Sequence, residues 1–236
     1  MGVLYDKLAT DVRFIESLKA CINCGTCTAI CPAAEFYVYD PRTVAITVQT
    51  QDDAKIIELL KSETIWYCGE CMSCKTRCPR GNVPGLLVIA LRALSQDLGY
   101  FTESEKGRQQ LALKRAIGEK ILSHGYCINP DTIAPGNHPE QGPIWEWEME
   151  HIEEVMEKLG ANYKGEGPGA LRKIPQEDLD EIHKIFEVTG GMDRFRDLEK
   201  FSKAKAEEMG VEFGEGANNE YFRMIYTTNN QTHTRE

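Results

Sequence analysis

An all-α protein is predicted by three features of the sequence. Apolar residues recur at helical spacing in stretch after stretch, as at Leu87, Leu91 and Leu94. Glycines stand where such stripes end, at Gly160 and Gly210. Two cysteine runs, at 21, 24, 27, 31 and at 68, 71, 74, 78, are joined by a spacer that reads as helical.

Taken in order, Leu4, Leu8, Val12 and Ile15 predict one short amphipathic helix leading into the first run. The stretch Val44 to Val48 has the composition of a short, isolated strand. Residues 51–61 read as a helix with acidic residues in its first turn. Residues 84–98 form a third helix, entered at Pro84 and well buried. Another helix is expected over 104–123, followed by a Pro-, Gly- and Asn-rich linker or loop from Gly125 to Pro143. Trp145, Met149, Ile152, Met156 and Leu159, spaced 4, 3, 4, 3, make one stripe on one helix, with Gly160 at its end. That stripe reads as a core face, although Trp145 and Trp147 also suit an interface. Helices over 176–189 and 192–209 follow, the second closed by Gly210, and the polar end from Thr227 reads as frayed. The expected organisation is a cysteine-bearing domain over 1–103 and a helical, partner-docking extension over 104–236.

Charge and composition narrow the function classes. The chain has 236 residues, 42% hydrophobic and 27% charged, with a formal net charge of -10. Residues 1–100 carry 10 basic and 11 acidic side chains, against 17 and 26 in the rest. Phosphate binding needs clustered Lys and Arg, so nucleic acid is not an expected partner. The acidic later part reads as a solvated face, or as a surface for a basic partner. The opening residues lack the basic stretch and apolar run of a secretory signal, and Asp6 stands where a myristoylation signal wants Ser or Thr. The most apolar stretch, Leu86 to Leu91, is six residues, too short for a membrane span. The expectation is a soluble cytoplasmic protein.

Eight of the nine cysteines lie in the two runs, each written C-x2-C-x2-C-x3-C-P. Adding 47 to Cys21, Cys24, Cys27, Cys31 and Pro32 gives Cys68, Cys71, Cys74, Cys78 and Pro79, a duplication. Tight runs of this kind suit metal ligation rather than a disulfide framework. A 4Fe–4S cube needs one thiolate per iron. Three can come from C-x2-C-x2-C, and the fourth must arrive from elsewhere. In bacterial two-cluster ferredoxins the fourth Cys of each such run ligates the other cluster. On that pattern, cluster I takes Cys21, Cys24, Cys27 and Cys78, and cluster II takes Cys68, Cys71, Cys74 and Cys31. Crossed ligation would staple the halves and hold two 4Fe–4S clusters close enough for electrons to pass between them. Zinc is the competing ligand, but zinc sites draw pairs of cysteines, not three in seven residues. Lys75 and Arg77 lie within the second run, Glu70 offsets one of them, and the first run has no charge between its ligands, so cluster II is expected to have the higher potential.

The stretches Cys21-Ile-Asn-Cys24-Gly-Thr-Cys27, Trp66-Tyr67-Cys68-Gly-Glu-Cys71 and Cys78-Pro79-Arg80-Gly81 resemble the C subunit of heterodisulfide reductase. They are also similar to the helical ferredoxin modules of the succinate dehydrogenase and glycolate oxidase iron–sulfur subunits. The resemblance covers about residues 1–100. It implies a helical ferredoxin domain in a larger complex, a non-catalytic subunit relaying single electrons between a flavin-bearing A subunit and a catalytic B subunit with CCG motifs. The chain itself has no CCG, and Gly165 to Gly169 fails the dinucleotide-binding pattern, so neither the substrate site nor the flavin belongs to it. The methanogen C subunits look shorter. The form in sulfur-oxidising organisms, whose complex oxidises protein-bound sulfane sulfur, looks the better match on length. The alternatives are the methanogen-type CoM–CoB enzyme, a free ferredoxin, or a chain acting on disulfides by itself. Cys127 reads as a small buried hydrophobe, and His124, His138, His151, His183 and His233 form no ligand pattern.

Overall fold

The computed structural model describes residues 2–18, 20–133, 135–137 and 141–226. His138, His233 and the tail from Thr227 fall outside them. Among the described residues every regular element is a helix, so the chain is all-α. The chain divides into two compact units, Met1–Arg108 and Gln109–Glu236.

The first unit is built on α8 (Pro84–Asp97). Its Leu87, Val88, Leu91 and Leu94 are buried, as the spacing predicts. Around it pack α2 (Val12–Ser17), α5 (Pro41–Gln49) and α6 (Asp53–Lys61). The leading helix is not continuous. It breaks at Thr10, and α1 (Val3–Ala9) gives way to α2, whose N-cap Asp11 accepts from the Arg13 N–H at 2.9 Å. Leu8 and Phe14 are buried while Val12 and Ile15 face solvent, so the stripe of four is not one face. Asp53 then ties α1 to α6 by accepting from the Val3 and Leu4 N–H groups, at 2.8 and 3.0 Å.

The expected strand at Val44–Val48 is a helix. Asp40 accepts from the N–H groups of Arg42 (2.8 Å) and Thr43 (3.2 Å), and Pro41 holds the first helical position. Val44, Ala45 and Val48 then fall on one buried face. A cap and a buried face outweigh β propensities worth a fraction of the ~1 kcal/mol scale. Short helices α3 (Thr26–Ala29), α4 (Ala33–Phe36) and α7 (Ser73–Arg77) follow or overlap the cysteine runs, and α3 packs on α7. Entry to α9 (Glu105–Leu113) is capped from a distance by Glu63, which accepts from the Glu105 and Lys106 N–H groups at 2.5 and 3.2 Å.

The second unit gathers Leu111, Ala112, Ala206, Tyr221, Phe222 and Ile225 into its core. The helix expected over 104–123 passes through one π-helical segment, Lys114–Gly118, before α10 (Glu119–His124). There Arg115, almost wholly buried, donates to both Glu199 oxygens (2.8 and 2.6 Å) and to the Gly214 and Gly216 carbonyls (2.8 and 2.6 Å). Burial opposes ionisation of Glu199, but Arg115 and Lys114 outweigh it and hold its carboxyl below the usual carboxylate range. The stripe from Trp145 to Leu159 is divided at His151 into α11 (Pro143–Glu150) and α12 (Ile152–Lys158), and none of its residues is fully buried. It is therefore not a core face. The His151 ring stacks on Trp147, 4.6 Å between centroids. Helices α13 (Gln176–Val188) and α14 (Gly191–Met209) pack together. The second ends at a left-handed Gly210, and α15 (Glu220–Tyr226) completes the core. No helix of the described residues is long and apolar enough to cross a membrane.

Candidate functional site

The two runs share one backbone plan. Asn23 and Glu70 have φ of 58° and 53°, and Gly25 and Met72 have φ of 82° and 59°. Each pair is again 47 residues apart, so the duplication seen in the cysteines extends to two left-handed turns per loop. These reversals wrap C-x2-C-x2-C around a centre. The hydroxyls repeat too. Thr26 Oγ1 lies 3.3 Å from Cys24 Sγ, and Ser73 Oγ lies 3.4 Å from Cys71 Sγ. Those contacts, with the neighbouring amides, hold the Cys24 and Cys71 thiols below their ordinary range. Burial pushes the Cys27 and Cys74 thiols the other way.

The last cysteine of the second run lies with the first run. Cys21, Cys24, Cys27 and Cys78 line one cleft, together with Arg42, Arg80 and Asn82. Asn82 makes the junction. Its side-chain carbonyl accepts from the Ala20 N–H at 3.1 Å, and its own backbone N–H donates to Cys78 Sγ at 3.3 Å. The Val83 N–H donates to the Ser17 carbonyl at 3.3 Å, a second tie between the same segments.

On the other side Tyr39 is buried. Loss of solvation, with the Cys68 and Cys31 sulfurs close by, pushes its phenol well above the usual value. Cys31 and Cys68 thus share a neighbour, although 37 residues separate them in sequence. The first turn of α8 lies against the second loop: a Cβ on Gly85 would stand 2.9 Å from Met72 Sδ and 3.8 Å from Cys74 Sγ.

Among the described residues no three Cys, His, Asp or Glu side chains converge on one ion-sized point. The donor set is instead four thiols around one cleft, with a hydroxyl beside Cys24 and the Asn82 amide N–H on Cys78. That chemistry fits an iron–sulfur cube. The charge pattern differs from the sequence expectation. Lys75 and Arg77 are exposed, whereas Arg42 and Arg80 line the first cleft. The contrast that favoured a higher potential for the second cluster loses its basis. Cys127 is exposed rather than buried, and stands apart from both runs in sequence.

Asn82, Tyr39 and the hydroxyl pair are not among the residues the sequence singles out. Only the last carried a signal, since Thr26 and Ser73 obey the same 47-residue shift as the ligands.

A family model described as a 4Fe-4S dicluster domain matches residues 17–82, which span both runs. The C subunit of the ferredoxin:CoB-CoM heterodisulfide reductase of Methanosarcina acetivorans is 32% identical over 203 residues, 85% of this chain and 73% of the relative. The iron–sulfur C2 subunit of the CoB–CoM heterodisulfide reductase of Methanocaldococcus jannaschii is 29% identical, covering 76% and 77%. The C subunit of the H2:CoB-CoM heterodisulfide, ferredoxin reductase of Methanothermobacter marburgensis is 26% identical, covering 74% and 76%. The similarity therefore reaches well past residue 100. Because the same 203 residues are a smaller share of the M. acetivorans protein, that relative is the longer of the two. Length does not set this chain apart from the methanogen forms.

Proposed function

The chain belongs to the family of heterodisulfide reductase C subunits, and from that premise we propose that it holds two 4Fe–4S clusters by crossed ligation and relays single electrons inside a larger complex. The observation that carries the ligand assignment is the presence of Cys78 in the cleft of Cys21, Cys24 and Cys27. One cube belongs to those four residues, and the other to Cys68, Cys71, Cys74 and Cys31. Each cube supplies reversible one-electron storage. The chain's own residues supply the rest. Eight thiolates fix the positions of the clusters, and Asn82 binds the two halves at one of the crossings.

The partners we propose are a flavin-bearing A-type subunit and a CCG-bearing B-type subunit of the same complex, in the cytoplasm. The chain has neither a flavin motif nor a CCG motif of its own. For the complex's substrate, two readings are weighed: sulfane sulfur in sulfur oxidation, and a heterodisulfide. The names of the three relatives above favour the second, and the chain is no longer than the M. acetivorans relative.

The test is anaerobic purification of the full chain with iron and sulfide analysis, then ligand variants in chains carrying one cube. About eight irons per chain are expected. With Cys68, Cys71 and Cys74 replaced by Ala, the remaining signal in electron paramagnetic resonance should change on Cys78→Ser and not on Cys31→Ser. The reverse pattern, or a zinc-loaded colourless protein, overturns the assignment. Pull-down of the tagged chain from its native cells should recover the flavoprotein and the CCG protein together.

A further inference from the structure

The second loop is gripped from outside by one side chain. Arg92 projects from α8, where its neighbours Leu91 and Ala93 are buried, and only 17% of its own side chain is exposed. Its Nε donates to the Ile65 carbonyl and its Nη2 to the Cys68 carbonyl, each at 2.6 Å. Its Nη1 donates to the carboxylate of Glu70, and its guanidinium carbon lies 5.4 Å from the centre of the buried Trp66 ring. Three donors of one planar group thus hold the chain before the loop, the first ligand and the residue two places after that ligand. The geometry uses the rigid fork that lysine lacks.

Glu70 explains why such a grip is placed there. It occupies a left-handed conformation, which is strained for a residue of its type. Its counterpart in the first loop, Asn23, is a residue type that adopts that region readily. Glu70 has no short amide of that kind, and its carboxylate is held instead by Arg92.

We propose that Arg92 is the positioning residue of the second cluster, fixing the Cys68–Cys71 turn through Glu70 and the Cys68 carbonyl and setting that cluster's potential through the Arg92–Glu70 charge balance. The proposal rests on the two-cluster reading above. One electron added to the cube makes the cube and its thiolates more negative by one unit, with no bond made or broken. Removing the arginine leaves Glu70 uncompensated and disfavours that electron. Removing the carboxylate charge leaves Arg92 uncompensated and favours it. The two changes act with opposite signs, which loss of packing alone does not produce.

The experiment is a redox titration, followed by electron paramagnetic resonance, on the anaerobically purified full chain. Each variant is read in two backgrounds, one retaining only the second cube (Cys21→Ala with Cys24→Ala) and one retaining only the first. Arg92→Met should lower the one-electron reduction constant of the second cube about threefold, and Glu70→Gln should raise it by a similar factor, ~28 mV at 59 mV per tenfold. Arg92→Lys keeps the charge but not the fork, so its second cube should be lost to a chelator faster than in the parent while the first is lost at the parent rate. Shifts of the same sign in both variants, no shift, or equal shifts in the first cube overturn the proposal. Where Arg92→Met fails to retain its cube, the sign of the Glu70→Gln shift decides. A parent chain without two cubes overturns the two-cluster reading itself, and is seen before any variant is made.

Discussion

The first and second cysteine loops reach the same shape by different means. In the first, the left-handed positions are filled by Asn23 and Gly25, residue types that adopt such backbone readily. In the second they are filled by Glu70 and Met72, at about 1–3 kcal/mol each. The first loop is therefore written largely into its own sequence. The second depends on tertiary contacts, with Arg92 on Glu70 and the first turn of α8 against Met72. The two loops share the ligands and the turns but not the residues that make the turns easy, and α8 supplies the difference.

The largest expected effect sharpens the comparison by treating the halves as equals. Cys78→Ala should cost the chain the first cube and Cys31→Ala the second, each leaving about four of eight irons. Iron analysis combined with the two single-cube spectra checks which cube each variant loses. A chain in which Cys78→Ala spares the first cube would have uncrossed wiring, and the halves would be independent modules.

Next comes the junction. Asn82 is buried and its amide carbonyl answers the Ala20 N–H. Asn82→Leu leaves that N–H without its acceptor and should cost about 1–3 kcal/mol, read as an earlier midpoint of denaturant unfolding in the cluster-loaded chain. Because Asn82 touches Cys78 and the approach to Cys21, the first cube should become more sensitive to chelator than the second. A larger effect on the second cube would contradict the placement of Asn82 at the first.

A smaller pair tests the claim about backbone directly. Gly25→Met should destabilise the loaded chain by about 1–2 kcal/mol, because φ is +82° there. The reciprocal Met72→Gly relieves a strained position and should be neutral or stabilising by up to about 1 kcal/mol, less whatever the Met72 contact with α8 contributes. Both are read by denaturant unfolding under anaerobic conditions. Equal destabilisation by the two would mean that the loops do not differ as described.

How far the fold could be read from the sequence follows the same divide between local and distant causes. The ligand runs, the helix on Leu87, Leu91 and Leu94, and the end of α14 at Gly210 were legible, since each is set by residues close in sequence. At Val44–Val48 the strand-like composition and the helix start signal, Asp40-Pro41 just before it, point opposite ways, and the cap with its buried face prevails. The breaks at Thr10 and His151 are not marked locally, because a stripe continues across each in sequence while the chain turns in space. Arg92 and Asn82 were not legible at all. Their partners lie 22 to 27 and 62 residues away, and nothing in the local pattern marks them.

The smallest expected effect concerns a further respect in which the loops match. Thr26 and Ser73 set a hydroxyl at 3.3 and 3.4 Å from the second cysteine of their runs. A hydroxyl that donates to a ligating thiolate stabilises the more negative, reduced cluster and so raises its potential. Thr26→Val should lower the potential of the first cube, and Ser73→Ala that of the second, with closely similar shifts measured by redox titration of single-cube chains. Equality is the informative result, because the surroundings of the loops differ in nearly every other way: Arg42 and Arg80 on one side, the Arg92–Glu70 pair on the other. If the shifts are equal, the hydroxyls act locally and the differences between the cubes come from those arginines. If only one variant shifts, the matched spacing is a feature of the shared backbone and not of the tuning.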